Sequence, residues 1–180
     1  MSTQSELLSN LETLAEGLIR DRTEEDATTL VSLRKKRYSD MTSEEKILIN
    51  SSMKGGYNAT DLNRVAIFCN TFAEFSASLD YIIPSYTPIR TNWSENESIT
   101  RVDLNSYIDA IKKIQNKWSF GGRFDIPESI VNGLTVSQAN AIEEMLYKAY
   151  KNAKSILLNM PFSGLVYSGL LWDDFASERE

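Results

Sequence analysis

Apolar residues recur every three or four positions along most of this chain, a spacing that is typical of amphipathic helices. The clearest row lies between residues 59 and 83, where large apolar side chains follow heptad spacing and further aromatic residues widen the stripe. Similar rows follow residues 100 and 135, and shorter helices are predicted over residues 4–21, 23–37 and 41–50. The pattern therefore predicts six helices, three of them long.

The three long helices are predicted to begin alike. In each, a capping residue is followed three positions later by a side chain that reaches back to its amide, which is the capping-box arrangement; the caps are Asn58, Thr100 and Thr135. An asparagine lies two residues beyond each box, at Asn63, Asn105 and Asn140. Asparagine is a mediocre helix former, so we expect a shared role such as a hydrogen bond to a neighbouring helix end or loop carbonyl. The alternative is a surface position that holds asparagine three times by chance.

The second and third helices carry their own start signals. Thr23 is expected to cap the second helix, with three acids in its first turn, and Thr42 forms a capping box with Glu45 in the third. The run Arg34 to Arg37 then falls in the last turn of the second helix. Acid first and base last complements the helix dipole, although a contact with an anionic partner is the alternative use of this basic run.

Both ends of the chain carry apolar rows that could bind a partner. Near the start, the row forms a two-heptad seam that packs on its own domain or docks to another helix; its members are Leu7, Leu11, Leu14 and Leu18. Near the end, Pro161 is expected to stop the last helix, and a five-residue tandem, SGLVY then SGLLW, predicts an extended arm or edge strand. This tail packs on its own domain or on another subunit through Phe162, Leu165, Tyr167, Leu170 and Trp172.

Composition agrees with a helical protein of modest size. The chain has 180 residues with 42% hydrophobic residues, and only 8 glycines and 4 prolines, which disfavours a sandwich of short strands. We therefore predict a mostly α fold: an N-terminal helical arm or adaptor over residues 1–54, a bundle of three long capped helices over 55–160, and a short extended or β tail over 161–180.

Charge and the available side chains exclude several function classes. A net charge of −6 opposes nucleic-acid binding, and no apolar run reaches the length of a spanning helix or follows a basic leader, so neither membrane nor export is expected. One cysteine, Cys69, and no histidine leave no usual general base or thiolate metal cluster. The paired acids Glu24-Glu25, Glu44-Glu45 and Glu143-Glu144 diverge by about 100° along their helices and are expected on solvated faces or in first turns. No catalytic, cofactor-binding or metal-binding residue is predicted, and the protein is not expected to be an enzyme.

Five segments together resemble one family of proteins. They are the LLSNLETLAEG start, MTSEEK followed by KGGYNATDLNRV, RTNWSENESITRVDLN, NGLTVSQANAIEEMLY and the SGLVYSGLLW tail. In order and over most of the chain they resemble minor structural proteins of tailed phages and prophages of Gram-positive bacteria. The resemblance implies a virion component, of the tail or baseplate, without catalytic residues.

The expected function is therefore architectural. The protein would be synthesised in the host cytoplasm and join the tail or baseplate of a phage or phage-like particle, attaching peripheral fibres through its chain ends. Its partners would be other phage structural proteins and further copies of itself. The alternative is a cytosolic assembly chaperone or adaptor for tail proteins that is absent from the mature particle.

Overall fold

Six helices make up the part of the chain that the structure, a computed structural model, describes. This part comprises residues 3–50, 54, 57–94, 97–118, 124–130 and 134–167, with the backbone alone for residue 50 and residues 159–167. The helices are α1 (Gln4–Glu16), α2 (Glu24–Arg34), α3 (Ser43–Asn50), α4 (Ala59–Ser78), α5 (Arg101–Trp118) and α6 (Val136–Tyr167), and a 3-10 turn spans Tyr38–Asp40. These ranges contain no strand. The expectation of a mostly helical protein is confirmed.

Capping bonds start the three long helices where the sequence predicts them. The Asp61 amide donates to Asn58 Oδ1 at 3.1 Å, and the Asn58 amide donates to Asp61 Oδ2 at 3.0 Å. Thr100 and Thr135 make the same reciprocal pair of bonds with the residues three positions later. The predicted caps Thr23 and Thr42 also form boxes, and a sixth box at Thr3 was not predicted. Each helix start is thus set by local sequence.

The hydrophobic core is built around α4, which packs against α1, α5 and α6. Its inward face supplies three fully buried phenylalanines, Phe68, Phe72 and Phe75, and the last residue of α5, Trp118, is equally buried among them. The rings of Phe68 and Phe72 are stacked with centroids 6.0 Å apart. Cys69 lies fully buried in the same stripe, where burial raises the pKa of its thiol, so it is a small core residue as predicted.

Helix α1 belongs to this core, although we expected it in a separate arm. Leu7, Leu11 and Leu18 are buried in the same cluster as the α4 phenylalanines, and Leu14 is partly buried against it. Tyr150 and Lys154 on α6 both contact Glu12 of α1. The bundle therefore has four helices instead of three. The leucine seam packs on its own domain because α4 and α6 offer it an apolar groove, and the leucines are not exposed to a partner.

Helices α2 and α3 form a hairpin beside this bundle. The ion pair of Lys36 with Glu45 (2.6 Å) joins the two helices near the turn, and that of Lys54 with Asp21 (2.6 Å) joins the two ends of the hairpin. Leu30, Leu33 and Met41 are buried but lie outside the main hydrophobic cluster. Of the predicted N-terminal arm, it is this hairpin, residues 24–50, that has a buried apolar set of its own.

Helix ends differ from the expected ones more than helix starts do. α4 ends at Ser78, five residues before the predicted end, because Asp80 adopts a left-handed φ of 57° and the Tyr81 amide turns back to the Ser76 carbonyl. Ile82, expected on the inner face, is consequently 65% exposed. α2 ends at Arg34, so only the first residue of the basic run lies in the helix.

The last helix passes through Pro161, at which the sequence predicts it to stop, and continues to Tyr167. Proline removes one amide donor, but its fixed φ of about −65° is close to the helical value, so a helix can pass through it at a cost. The first seven residues of the predicted extended tail are therefore helical. Phe162, Leu165 and Tyr167 lie in this helix, whereas Leu170 and Trp172 lie outside the described residues.

Candidate binding surfaces

Four charged side chains form a buried cluster where the α1–α2 linker meets α4 and α6. Arg22 Nη2 lies 3.0 Å from Asp61 Oδ1 and 2.7 Å from Glu143 Oε1, and Arg64 Nη2 lies 2.6 and 2.9 Å from the same two oxygens. The Arg22 and Glu143 side chains are 2% and 0% exposed. Two positive and two negative groups alternate around the cluster, so each buried charge has two partners of opposite sign.

This cluster fastens the linker by its backbone as well as by its charges. The Ile19 amide donates to Glu143 Oε2 at 2.6 Å, and Arg22 Nη1 donates to the Ile19 carbonyl at 2.6 Å. Asn140, one turn before Glu143, accepts from the Arg22 amide (3.1 Å) and donates to the Arg22 carbonyl (2.9 Å). The irregular segment between α1 and α2 is therefore held against the first turns of α4 and α6, and this fixes where the hairpin starts.

The neighbouring acids Glu143 and Glu144 point in different directions, as their helical positions predict. Glu144 lies on the surface and pairs with Arg20 at 3.1 Å. Glu143, in contrast, is fully buried, so the expectation of a solvated face is wrong for this residue. Two arginines and a backbone amide compensate its desolvation.

Two asparagines of α4 hold the loop that follows this helix. Asn63 accepts from the Trp93 amide (2.7 Å) and donates to the Trp93 carbonyl (2.8 Å). Asn70, two turns later on the same face, holds the amide and carbonyl of Ile89 in the same manner and also accepts from the Tyr86 hydroxyl. A loop without regular structure is thereby given satisfied backbone groups.

The predicted shared role of three asparagines holds for two of them. Asn63 and Asn140 each bind both backbone groups of one residue in a neighbouring segment. The Asn105 side chain is exposed and has no hydrogen-bond partner among the described residues, so the predicted role is wrong there. The fully buried residues of α5 begin two positions later, at Tyr107. Asn70 takes the third place instead, seven residues after Asn63.

Replacing Asn63 or Asn140 by alanine is expected to lower the free energy of unfolding by about 1–3 kcal/mol, because each change leaves a partly buried amide and carbonyl without a partner. Asn105→Ala is the matched control and should change it by no more than about 0.5 kcal/mol. Urea unfolding followed by circular dichroism measures all three. Equal losses in the three variants would contradict the clamping role.

A crevice of about 290 Å³ lies between α5 and the loop that Asn63 and Asn70 hold. Its charged groups already have partners: Arg90 pairs with Glu97 at 2.8 Å, Asp103 accepts from the Thr100 amide, and Asp109 pairs with Lys113 at 2.6 Å. The Arg90 guanidinium also lies 4.2 Å from the centre of the Trp93 ring. The described walls of this crevice therefore hold no charged side chain that lacks a partner.

Three exposed large hydrophobic or aromatic side chains lie on the hairpin of α2 and α3. Val31 of α2 is 52% exposed, Ile47 of α3 is 70% exposed, and Tyr38 in the turn between them is 56% exposed. The same hairpin carries Arg34, Lys35 and Arg37, which are exposed and form no ion pair with any described residue. We call these six residues the hairpin patch: three exposed hydrophobic or aromatic side chains and three exposed cations of the α2–α3 hairpin.

Sequence reasoning missed the charged cluster and the hairpin patch. Glu143 lies between Ala139 and Leu146, inside the apolar row of α6, and an acid at such a position indicates a buried charge that needs partners. Asn70 lies one heptad after Asn63, a spacing that places both on one face of the helix and indicates a similar role. No local signal distinguishes exposed Ile47 from a buried isoleucine, because which face of α3 is exposed depends on how the hairpin packs in the folded protein.

The described residues contain no group of three or more histidine, cysteine, aspartate or glutamate side chains arranged to hold a metal ion. Nor does any described helix combine the length and the hydropathy that crossing a membrane requires.

Comparison with known proteins gives no match to this chain among protein-family models, curated proteins or solved structures.

Proposed function

We propose that this protein is a non-enzymatic structural component of a phage or phage-like particle, an adaptor of the tail or baseplate that attaches peripheral fibres. The observation that carries the proposal is a four-helix body with an exposed hairpin near the start of α6 and an apolar sequence after the end of α6. The hairpin starts beside the first turns of α6, and the apolar chain end follows its last turn. At 1.5 Å per residue, the 32 residues of α6 span about 48 Å.

Two further observations support an architectural role. The resemblance to minor structural proteins of phages covers most of the chain, and its segments include the helix starts at Asn58, Thr100 and Thr135. The described polar clusters brace the fold: the charged cluster fastens a linker, and the asparagines fasten a loop. The binding surfaces we now propose are the hairpin patch, in place of the α1 leucines, and the chain end that includes Leu170 and Trp172.

Mass spectrometry of purified particles tests this assignment. We expect the full chain to copurify with particles and a variant lacking residues 168–180 to be absent from them, although circular dichroism should show that the variant is folded. Val102→Asp is the control, because Val102 is 74% exposed on α5, outside both proposed surfaces, and this variant should be incorporated normally.

Two results would overturn the assignment. Normal incorporation of the truncated variant would remove the chain end from the binding role. If the full chain binds tail proteins in the host cytoplasm but is absent from finished particles, the protein is an assembly chaperone instead.

A further inference from the structure

We propose that the hairpin of α2 and α3, residues 24–50, unfolds and refolds as a unit of its own while the body of α1, α4, α5 and α6 stays folded. The hairpin is then a conformational device with two states, attached to a body that does not change. Its opening is a property of the purified protein and goes beyond the proposed role in a particle.

Few apolar side chains hold the hairpin folded. Among its described side chains the buried ones are Leu30, Leu33 and Met41, and none of those described in α3, residues 43–49, is buried. α2 has 11 residues and α3 has 8, whereas helices shorter than about 12–15 residues are marginal in water unless they pack on something. A segment with so few buried contacts has low local stability.

The hairpin also shares little with the core of the body. Its three buried side chains lie outside the hydrophobic cluster that joins α1, α4, α5 and α6. A crevice of about 250 Å³ lies between the first turns of α2, at Glu24 and Ala27, and the start of α6, at Ala139. No ion pair joins a described residue of the hairpin to a described residue of the body. Opening the hairpin therefore removes no side chain from the core of the body.

The charged cluster sets the boundary at which this opening stops. Arg22 is held through its side chain by Asp61 and Glu143 and through its backbone by Asn140, and α2 begins two residues later. On the other side of the hairpin, Asn58 caps α4 by its reciprocal bonds with Asp61. These contacts involve only residues outside the hairpin, so they persist when it opens, and the chain stays fixed to the body on both sides of it.

A partner can use this equilibrium, because a ligand shifts it by its difference in affinity for the two states. A protein that contacts the folded hairpin favours the closed state, and one that binds an unfolded part of it favours the open state. In both cases the hairpin responds while the four-helix body keeps its arrangement.

Hydrogen exchange of the purified full chain, followed by mass spectrometry of peptides from the hairpin and from the body, tests the proposal. At neutral pH the amides of α2 and α3 should be protected relative to their intrinsic rates, but at least about 100-fold less than those in the middle of α4. Leu33→Ala removes a buried side chain of the hairpin. It should accelerate exchange throughout the hairpin at least about tenfold and leave the exchange of α4 and α6 unchanged.

Ile142→Val is the matched control in the body, because Ile142 is fully buried in α6. It should accelerate exchange in α4 and α6 by about two- to tenfold. The hairpin should be unaffected, because its amides exchange through the local opening and not through unfolding of the whole protein.

Four results would overturn the proposal. Equal protection of the hairpin and α4, acceleration of α4 by Leu33→Ala as large as that of the hairpin, or acceleration of the hairpin by Ile142→Val would each show that hairpin and body unfold together. Hairpin amides that lack protection in the full chain, or that Leu33→Ala leaves unchanged, would show that the buried side chains of the hairpin do not hold it folded. No particle takes part in these measurements, so a failure here is distinguishable from a failure of the proposed function.

Discussion

Replacing Glu143 by alanine is expected to lower the free energy of unfolding by about 3–5 kcal/mol, since it removes one partner from a buried ion-pair cluster. Arg22 and Arg64 would then share the single carboxylate of Asp61, so that the buried site carries an uncompensated positive charge. The Ile19 amide would also lose its acceptor. Urea unfolding monitored by circular dichroism gives the change directly.

The adjacent residue provides the control for this prediction. Glu144→Ala removes a glutamate from the same turn of the same helix, but its partner Arg20 lies at the surface, where an ion pair contributes about 0–1 kcal/mol. Glu143→Gln keeps the shape and removes the charge, so its loss should lie between the two. Similar losses for Glu143→Ala and Glu144→Ala would show that the cluster does not hold the linker in place.

The contrast between these two glutamates shows what the sequence does and does not determine. Helix starts are local: a cap and the residue three positions later suffice, and Asn58, Thr100 and Thr135 were identified from the sequence alone. The burial of Glu143 is not local, because its partner Arg22 is 121 residues distant in the chain. Contacts between segments so far apart leave no periodic pattern in either segment.

Helix ends are also difficult to predict from local sequence. α4 ends where Ser76 and Tyr81 exchange hydrogen bonds, and the next proline comes only at Pro84. α6 continues through Pro161 because a proline adds a cost that the rest of a long helix can offset. In both cases a residue that reads as a stop signal has less effect than the contacts and hydrogen bonds around it.

The binding surfaces could be predicted only in part. A leucine row at heptad spacing fits a core helix and a docking helix equally, and the structure shows that α4 covers Leu7 and Leu11. The basic run was attributed to the helix dipole, yet α2 ends at Arg34 and leaves Arg37 beyond it, without an ion pair to any described residue. Arg34, Lys35 and Arg37 are exposed and form no ion pair with any described residue, which favours the alternative use, contact with an anionic partner.

Replacing Trp118 by alanine should destabilise the protein by about 3–5 kcal/mol, the range for removing a fully buried aromatic side chain. Its ring meets Phe72 edge to face at 5.3 Å and Tyr81 at 4.7 Å, so the loss opens a cavity at the centre of the aromatic cluster. Nε1 also donates to Ser76 Oγ at 2.9 Å, and that hydroxyl in turn bonds the Tyr81 carbonyl at the end of α4. The indole therefore joins the last turns of α4 and α5.

Two further variants separate the contributions of Trp118. Trp118→Phe keeps an aromatic ring but removes both the donor to Ser76 and part of the buried ring, so its loss, about 1–3 kcal/mol, should be smaller than that of Trp118→Ala. Trp93→Ala removes an indole that is only partly buried against the core and that contacts Arg90, while Asn63 still holds the backbone there. It should cost about 1–2 kcal/mol. Only a tightly packed ring leaves a cavity that its neighbours cannot fill, so removal of Trp118 should cost more than removal of Trp93. If urea unfolding shows that Trp118→Ala costs no more than Trp93→Ala, the aromatic cluster is not the part of the core that joins α4 to α5.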